Sequence, residues 1–177
     1  ANDTEIAGVR FFDTWYAAVF AQPVTADMSG VTITGCMVKN TTSIGTTYKY
    51  GFNIHTDGAA AYGISDVVIA NNRLKCPASS GTYPLLIEVY GGPTTAYKIS
   101  GISVSANTTS GGGMGCSFSG VTQASASGNT VVAPYLYGIE GADCKHLTIS
   151  GNTINGGQRG VSLSSTSSQN ISVSGNT

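Results

Sequence analysis

The sequence predicts an all-β fold that is built from stacked copies of one short unit. Three observations predict it. A phrase ending in Asn-Thr recurs, as in ISGNT at 149–153 and VSGNT at 173–177. Apolar and short polar residues alternate before that Asn, which is typical of a strand with one buried face. The chain also holds 24 glycines, and Ser, Thr and Asn fill most of its polar positions, a composition that favours strands and turns over helices.

The recurring phrase divides the chain into units that each end at one position, here called the anchor. The anchors are Cys36, Asn72, Asn107, Asn129, Asn152 and Asn176. Successive anchors are 36, 35, 22, 23 and 24 residues apart, so two units are longer than the rest. A degenerate earlier copy, GVRFFDT at 8–14, brings the number of units to about seven.

The anchor residue predicts a corner between two strands. Asn tolerates a left-handed backbone conformation, and its side-chain amide can bond to neighbouring backbone groups. We therefore expect the Asn anchors to form the bend. When units stack, these amides can also bond to each other, donor to acceptor, as a ladder. Cys36 would end that ladder at its early end.

A second phrase lies between the anchors and predicts another strand in each unit. It occurs as YGFNIHT at 50–56, LLIEVYG at 85–91, MGCSFSG at 114–120, YGIEGAD at 137–143 and RGVSLSS at 159–165. Each unit thus holds two or three short strands. A unit of this size cannot bury its own apolar face, so it has to stack on its copies.

In unit length, strand pattern and Asn-bearing corners, the chain resembles the right-handed parallel β-helix of the pectate-lyase-like superfamily. The resemblance covers nearly the whole chain. It implies an all-β, single-stranded solenoid of about seven coils of 22–24 residues, with two coils lengthened by loop insertions. We expect one domain over 1–177. We also expect a fragment of a longer chain, because the first residue is not Met and the last coil stops at its corner.

Composition excludes several classes of function. Charged residues make up 10% of the chain, the net charge is −1, and the eight basic residues are scattered in sequence, so we expect no nucleic-acid partner and no anionic membrane surface. No apolar run is long enough to span a membrane. The four cysteines form no CxxC pair and are expected as small buried hydrophobes. Without clustered carboxylates, no metal and no cofactor is implied.

Stacking predicts columns of equivalent side chains, about 4.8 Å apart from coil to coil. In the second phrase one column is Asn53, Glu88, Ser117, Glu140 and Ser162, and the next is His55, Tyr90, Ser119, Ala142 and Ser164. Glu88 and Glu140 lie two coils apart, roughly 9 to 10 Å, which suits the two carboxyl groups of an inverting glycosidase. Glu88, Glu140 and His55 are therefore the candidate catalytic residues. The alternative is that the two glutamates only keep an exposed sheet face soluble.

The residues around this pair are candidates for binding a sugar. They are Asn53, Tyr50, Asp57, Tyr90 and Tyr137. Tyrosines offer flat ring faces and hydroxyl groups to sugar rings, although some of them would instead pack at a corner of the coil. Long insertions at 55–63, 76–84 and 91–98 flank the region of His55 and Glu88, where loops would shape a binding groove.

One stretch, YGFNIHTD at 50–57, also resembles the YG(F/I)DPH motif of mannuronan C5-epimerases, which share the β-helix fold. Tyr50, Gly51, Phe52 and His55 match it, whereas Asn53 stands at the acidic position and Ile54 at the proline. The resemblance implies proton transfer at a uronate carbon by Tyr50 and His55. An amide cannot serve as an acid or base in place of the missing carboxylate.

These observations support three hypotheses of function. The leading one is a β-helix of a bacteriophage tailspike or tail fibre that binds and cleaves a cell-surface polysaccharide; the resemblance implies a homotrimer in the virion tail. The second is a non-catalytic glycan-binding adhesin or a structural shaft. The third is a secreted, extracellular polysaccharide lyase or C5-epimerase. The fold does not choose among these hypotheses, because the superfamily includes lyases, hydrolases, epimerases, bacteriophage tailspikes and adhesins.

Overall fold

The computed structural model describes residues 2–14, 16–40, 50–56, 62–78, 85–92, 98–164 and 167–177. These ranges form three parallel sheets, and no helix occurs in them. Within the same ranges there is accordingly no helix of the length and apolarity that crossing a membrane requires.

Sheet A is the largest, with seven strands in the order of the chain. Its strands are β1 (Asn2–Ala7), β4 (Met28–Thr34), β7 (Ile64–Ala70), β10 (Ile99–Ser105), β13 (Val121–Ser127), β16 (Lys145–Ser150) and β19 (Ser172–Ser174). Sheet B contains β2 (Arg10–Phe12), β5 (Met37–Lys39), β8 (Arg73–Ala78), β11 (Thr108–Gly112), β14 (Thr130–Val132) and β17 (Thr153–Asn155). Sheet C contains β3 (Ala17–Ala21), β6 (Tyr50–His55), β9 (Leu85–Tyr90), β12 (Met114–Ser119), β15 (Tyr137–Ala142) and β18 (Arg159–Ser164).

The chain runs from sheet A to sheet B to sheet C and back to A, and each strand pairs in parallel with its equivalents in the neighbouring coils. Six coils therefore carry three strands each, and β19 begins a seventh. The predicted parallel β-helix of about seven coils is confirmed, with three strands in each complete coil.

The core lies between the three sheets. Apolar side chains that alternate along the strands point into this core. Ile33, Ile69 and Leu147 in sheet A and Leu74 in sheet B are fully buried. Phe52 fills the same core from sheet C. Each side chain of this kind contributes about 1.5 to 3 kcal/mol when it leaves water. Stacking, rather than any single coil, thus supplies the stability.

The predicted asparagine ladder is present at the corner between sheets A and B. The side-chain Nδ2 of each Asn anchor donates to Oδ1 of the next anchor along the chain. These bonds join Asn72 to Asn107 (3.0 Å), Asn107 to Asn129 (3.0 Å), Asn129 to Asn152 (2.9 Å) and Asn152 to Asn176 (2.9 Å). Cys36 ends it, with its backbone N–H donating to Asn72 Oδ1 at 2.8 Å. Asn129 Nδ2 uses its other hydrogen on the Val104 carbonyl at 2.9 Å. The buried amides of the ladder therefore have hydrogen-bond partners.

The left-handed residue at this corner is not the anchor itself, and the expectation that it would be is wrong. Positive φ occurs one residue earlier, at Gly35 (61°), Asn71 (57°), Ala106 (52°), Gly128 (61°), Gly151 (62°) and Gly175 (60°). The physical reason is that the anchor's amide has to point inward to join the ladder, so the preceding residue makes the bend. Ala106 pays a steric cost there that glycine avoids.

The four cysteines are buried and form no disulfide, as predicted. Burial raises the pKa of the Cys116 thiol to about 12 and that of the Cys144 thiol to about 11. The thiols of Cys116 and Cys144 are therefore protonated at neutral pH and act as small hydrophobic side chains.

Candidate functional site

The register of sheet C confirms both predicted columns. Asn53, Glu88, Ser117, Glu140 and Ser162 are paired from coil to coil, and so are His55, Tyr90, Ser119, Ala142 and Ser164. The neighbours of Glu88 along its strand, Ile87 and Val89, are fully buried in the core. Because side chains alternate along a strand, Glu88 and its column lie on the opposite face of sheet C. Phe20 begins this column one coil earlier.

This face is more buried than the sequence suggests. Asn53 is 0% exposed and Glu88 is 8% exposed, while Glu140 is half-buried. The alternative in which both glutamates are exposed residues that keep the face soluble is therefore wrong for Glu88. A buried carboxyl group costs free energy, because it loses its hydration.

The environment of the two glutamates raises the pKa of both. Burial raises the pKa of Glu88 from 4.5 to about 7, the negative charge of Glu140 raises it further, and a hydrogen bond from Tyr50 partly opposes both effects. Burial also raises the pKa of Glu140, and the Ser117 hydroxyl opposes that shift by donating to Glu140 Oε2 at 3.2 Å. The pair thus favours a state in which Glu88 holds a proton near neutral pH.

The separation of the two carboxyl-bearing residues follows from the register. Ser117 lies between Glu88 and Glu140 in the column. Two steps of about 4.8 Å place their backbones about 9.6 Å apart. Side chains that leave the sheet in parallel keep a similar spacing, which would leave room for a glycosidic bond and one water molecule between the carboxyl groups.

Asn53 provides a second feature of a binding site. Neither Nδ2 nor Oδ1 of its side chain has a hydrogen-bond partner within the described part of the chain, although both atoms are buried. An unsatisfied buried polar group costs about 1 to 3 kcal/mol. A ligand hydroxyl group next to Glu88 would satisfy this amide as both acceptor and donor.

A row of aromatic rings continues the site towards the early coils. Tyr16 packs edge-on against Phe20 (5.7 Å between centroids) and against Tyr50 (5.3 Å). Phe20 lies 6.1 Å from His55, whose ring stacks on Tyr90 at 4.9 Å. Tyr16 and Phe20 are 42% and 45% exposed. Exposed ring faces of this kind can pack on the apolar face of a sugar.

The late end of the site carries a cation. The Arg159 guanidinium carbon lies 5.6 Å from the centroid of the Tyr137 ring, and Nη1 donates to Ser162 Oγ at 3.4 Å. Ser162 directly follows Glu140 in the column. Sequence analysis missed Tyr16 and Phe20, because the unit that holds these two rings is the degenerate first copy. It also missed Arg159.

The family comparison agrees with this architecture. A family model described as "Right handed beta helix region" matches residues 1–177. The chain belongs to the right-handed β-helix family. No curated protein and no solved structure matches the chain. Since one fold supports many activities, the function of this β-helix has to be argued from its site.

The structure brings most predicted site residues of the β-helix together. Tyr50 bonds to Glu88, His55 stacks on Tyr90, and Tyr137 lies in β15 with Glu140. Asp57 lies outside the described residues, as do parts of the insertions at 55–63, 76–84 and 91–98. Over the described ranges, no three His, Cys, Asp or Glu side chains are grouped so as to hold a metal ion.

Proposed function

We propose that this β-helix binds a cell-surface polysaccharide on the outer face of sheet C and hydrolyses it with Glu88 and Glu140. The observation that carries the proposal is the placement of two partly buried carboxyl groups two coils apart in one column. The unpartnered buried amide of Asn53, one coil from Glu88, adds a polar group for a ligand hydroxyl.

In the proposed reaction Glu88 is the general acid. Its pKa of about 7 keeps a large share of it protonated at neutral pH and most of it below neutral pH, and the hydrogen bond from Tyr50 fixes the orientation of its carboxyl group. Glu88 gives its proton to the glycosidic oxygen while the bond from that oxygen to the anomeric carbon breaks. The leaving sugar thus departs as an alcohol.

Glu140 is the general base of the same step. It takes a proton from a water molecule whose oxygen bonds to the anomeric carbon on the opposite face. The hydrogen bond from Ser117 favours the ionised form of Glu140 that this role requires. One turnover leaves Glu88 ionised and Glu140 protonated, and exchange with solvent restores both. The configuration at the anomeric carbon is inverted.

The remaining residues have binding roles in this proposal. The rings of Tyr16, Phe20 and the His55–Tyr90 stack would hold sugar units on one side of the scissile bond. Tyr137 and Arg159 would hold units on the other side, next to Glu140. The sugar chain would then run along the axis of the solenoid, across the stacked strands of sheet C.

The biological setting we propose is a bacteriophage tailspike or tail fibre, with three copies of the chain side by side. Low charge, cysteines without disulfide bonds, and faces rich in Ser, Thr and Asn support an elongated particle protein that contacts cell-surface glycans. Light scattering after gel filtration measures the molar mass. A trimer mass is the expected result, and a monomer would contradict this assembly.

A depolymerisation assay tests the catalytic assignment. A panel of bacterial surface polysaccharides would be incubated with the wild type, Glu88→Gln and Glu140→Gln, and new reducing ends measured. Each variant should release them at least about 100-fold more slowly, since each removes one acid or base. Glu5→Gln, an exposed position in β1, is the matched control and should be unchanged. Full activity in both site variants would refute the assignment.

A non-catalytic glycan-binding protein is the second candidate, and the exposed aromatic row favours it. Tyr16 and Phe20 would bind sugar whether or not Glu88 and Glu140 react. Glycan binding without new reducing ends, reduced by Phe20→Ala, would support this alternative. Unsaturated products with ultraviolet absorbance would instead indicate a lyase that uses Tyr50 and His55.

A further inference from the structure

A second surface of the molecule, the outer face of sheet B, carries a cluster of cations that the proposed function does not use. Two columns run across the first three coils: Arg10, Met37 and Arg73 in one, and Phe12, Lys39 and Lys75 in the other. The side chains between them, Val38 and Leu74, point into the core and are buried. We call Arg10, Lys39, Arg73 and Lys75 the basic face.

The fold creates this cluster from positions that are far apart in sequence. Half of the eight Lys and Arg residues belong to it, so the expectation of scattered basic residues is wrong once the coils stack. All four side chains are exposed. By contrast, the strands of sheet B contain no Asp or Glu.

The four cations lie close together on the outer face of sheet B. Lys39 and Lys75 are direct neighbours on adjacent coils, about 4.8 Å apart at the backbone. Within the described part of the chain none of the four makes an ion pair or a side-chain hydrogen bond. Like charges directly opposite each other in a sheet destabilise it. A bound polyanion would remove that cost.

The surface between the cations is a shallow groove. It has a volume of about 150 Å³ and is lined by Met37, Val38, Lys39, Arg73 and Lys75. Phe12, which is 60% exposed, lies next to Lys39 in the same column. The basic face therefore combines guanidinium and ammonium groups with apolar surface on which a ring can rest.

We propose that the basic face binds a linear acidic polysaccharide whose chain runs along the solenoid axis. Arg10 and Arg73, two coils apart, would each hold a carboxylate or sulfate group through paired N–H donors. Lys39 and Lys75 would neutralise groups on the neighbouring side of the chain, and Met37 and Phe12 would contact sugar rings.

Charge and shape favour this ligand over other polyanions. A duplex-binding protein typically makes 6 to 10 phosphate contacts, and a nucleic-acid-binding domain is strongly basic overall. This chain has a net charge of −1, and its basic face has only four cations. A polysaccharide with about one charge per sugar or fewer fits a short two-column face better than a nucleic acid does.

The inference goes beyond the proposed function, because the basic face lies on sheet B and the Glu88 column on sheet C. Polygalacturonate and hyaluronan are suitable probes, with uncharged dextran as the reference ligand. Calorimetric titration should show binding of both acidic polymers by the wild type, weakening as NaCl is raised, and no binding of dextran.

Two variants locate the binding. Arg73→Ala/Lys75→Ala should weaken binding of the acidic polymers about tenfold, since an exposed ion pair is worth a factor of up to about five. Arg10→Ala/Lys39→Ala tests the same face independently, should one double variant fold poorly. Lys98→Ala/Lys145→Ala removes the same charge away from sheet B and should change little.

Several outcomes would overturn the proposal. One is equal weakening by Lys98→Ala/Lys145→Ala, which would mean that only net charge matters. Another is failure of the wild type to bind either acidic polymer. Tighter binding of a single-stranded oligonucleotide or of anionic lipid vesicles than of polygalacturonate would assign the face to that partner. Glu88→Gln should leave this binding intact, so failure of the hydrolase proposal is distinguishable from failure of this one.

Discussion

Replacing Glu88 by Gln should make the protein more stable at pH 8 and leave its stability nearly unchanged at pH 4. The side chain keeps its size, and its carbonyl oxygen can still accept the hydrogen bond from Tyr50. What the variant loses is the ability to become charged. A carboxyl group whose pKa rises from 4.5 to about 7 on folding lowers the stability of the folded state once the pH is high enough to ionise it.

The sign and size of the effect follow from linkage. Below pH 4.5 Glu88 is protonated in both folded and unfolded chains, and it costs nothing. As the pH rises from 4.5 to about 7, the unfolded chain ionises while the folded chain resists, so the wild type loses stability. At about 1.36 kcal/mol per pKa unit, the full loss approaches roughly 3 kcal/mol above pH 7.

Thermal unfolding of the wild type and Glu88→Gln at pH 4, 6 and 8 measures this effect. For a chain of this length, 3 kcal/mol corresponds to a Tm difference of roughly 6 to 12 °C at pH 8. Glu5→Gln, at an exposed position, should show no such pH-dependent gain. If Glu88→Gln is equally or less stable than the wild type at pH 8, then burial does not raise the pKa of the Glu88 carboxyl group in the way described.

Three further predictions concern the scaffold. Both Ala106 and Gly128 have a positive φ, which glycine adopts more easily than alanine. Ala106→Gly should therefore raise the free energy of unfolding by about 0.5 to 1 kcal/mol, and Gly128→Ala should lower it by a similar amount. Urea titration measures both changes, and the reverse signs would show that the bend lies elsewhere. Asn129→Ala should cost about 2 to 4 kcal/mol, more than Asn176→Ala at the end of the ladder, and equal losses would contradict the ladder's role. The Cys116 thiol should react with a disulfide reagent only after unfolding, and rapid labelling of the folded protein would show that it is not buried.

The fold was predictable because its signals are local. Alternating apolar residues five and three places before each anchor indicate a strand, and the recurrence of that pattern forces the strands to stack. The same spacing gave the columns of Glu88 and Glu140, since parallel pairing keeps equivalent positions in register. The ladder followed from the side-chain chemistry of Asn alone.

The properties of the site that depend on packing were not predictable. The alternation along each strand places Asn53 and Glu88 on the outer face of sheet C, and no local pattern in the sequence indicates that both are buried there. Tyr16 and Phe20 lie in a copy too degenerate to align, so only their pairing with β6 shows that they extend the site. Arg159 did have a signal, because the alignment of RGVSLSS with YGIEGAD places it directly after Tyr137 in one column, but only the structure shows that its guanidinium group contacts the Tyr137 ring.

The basic face illustrates the same limit. Arg10, Lys39, Arg73 and Lys75 are separated by up to tens of residues in sequence, and charge counts treat them as scattered. Lys39 and Lys75 each lie three residues after an anchor, so the repeat already aligns them, whereas Arg10 lies in the degenerate first copy and needs the register of sheet B. Charge clustering in a solenoid is thus a property of columns rather than of sequence windows.

The most direct test of the proposed hydrolase is the stereochemistry of its products. Proton NMR during depolymerisation of a cleaved polysaccharide records the anomeric form of each new reducing end before it equilibrates. With Glu88 as acid and Glu140 as base two coils away in the same column, the new end should first appear with inverted configuration, and neither Gln variant should produce it. Retained configuration, unsaturated ends, or unchanged product formation in Glu88→Gln and Glu140→Gln would contradict the proposal.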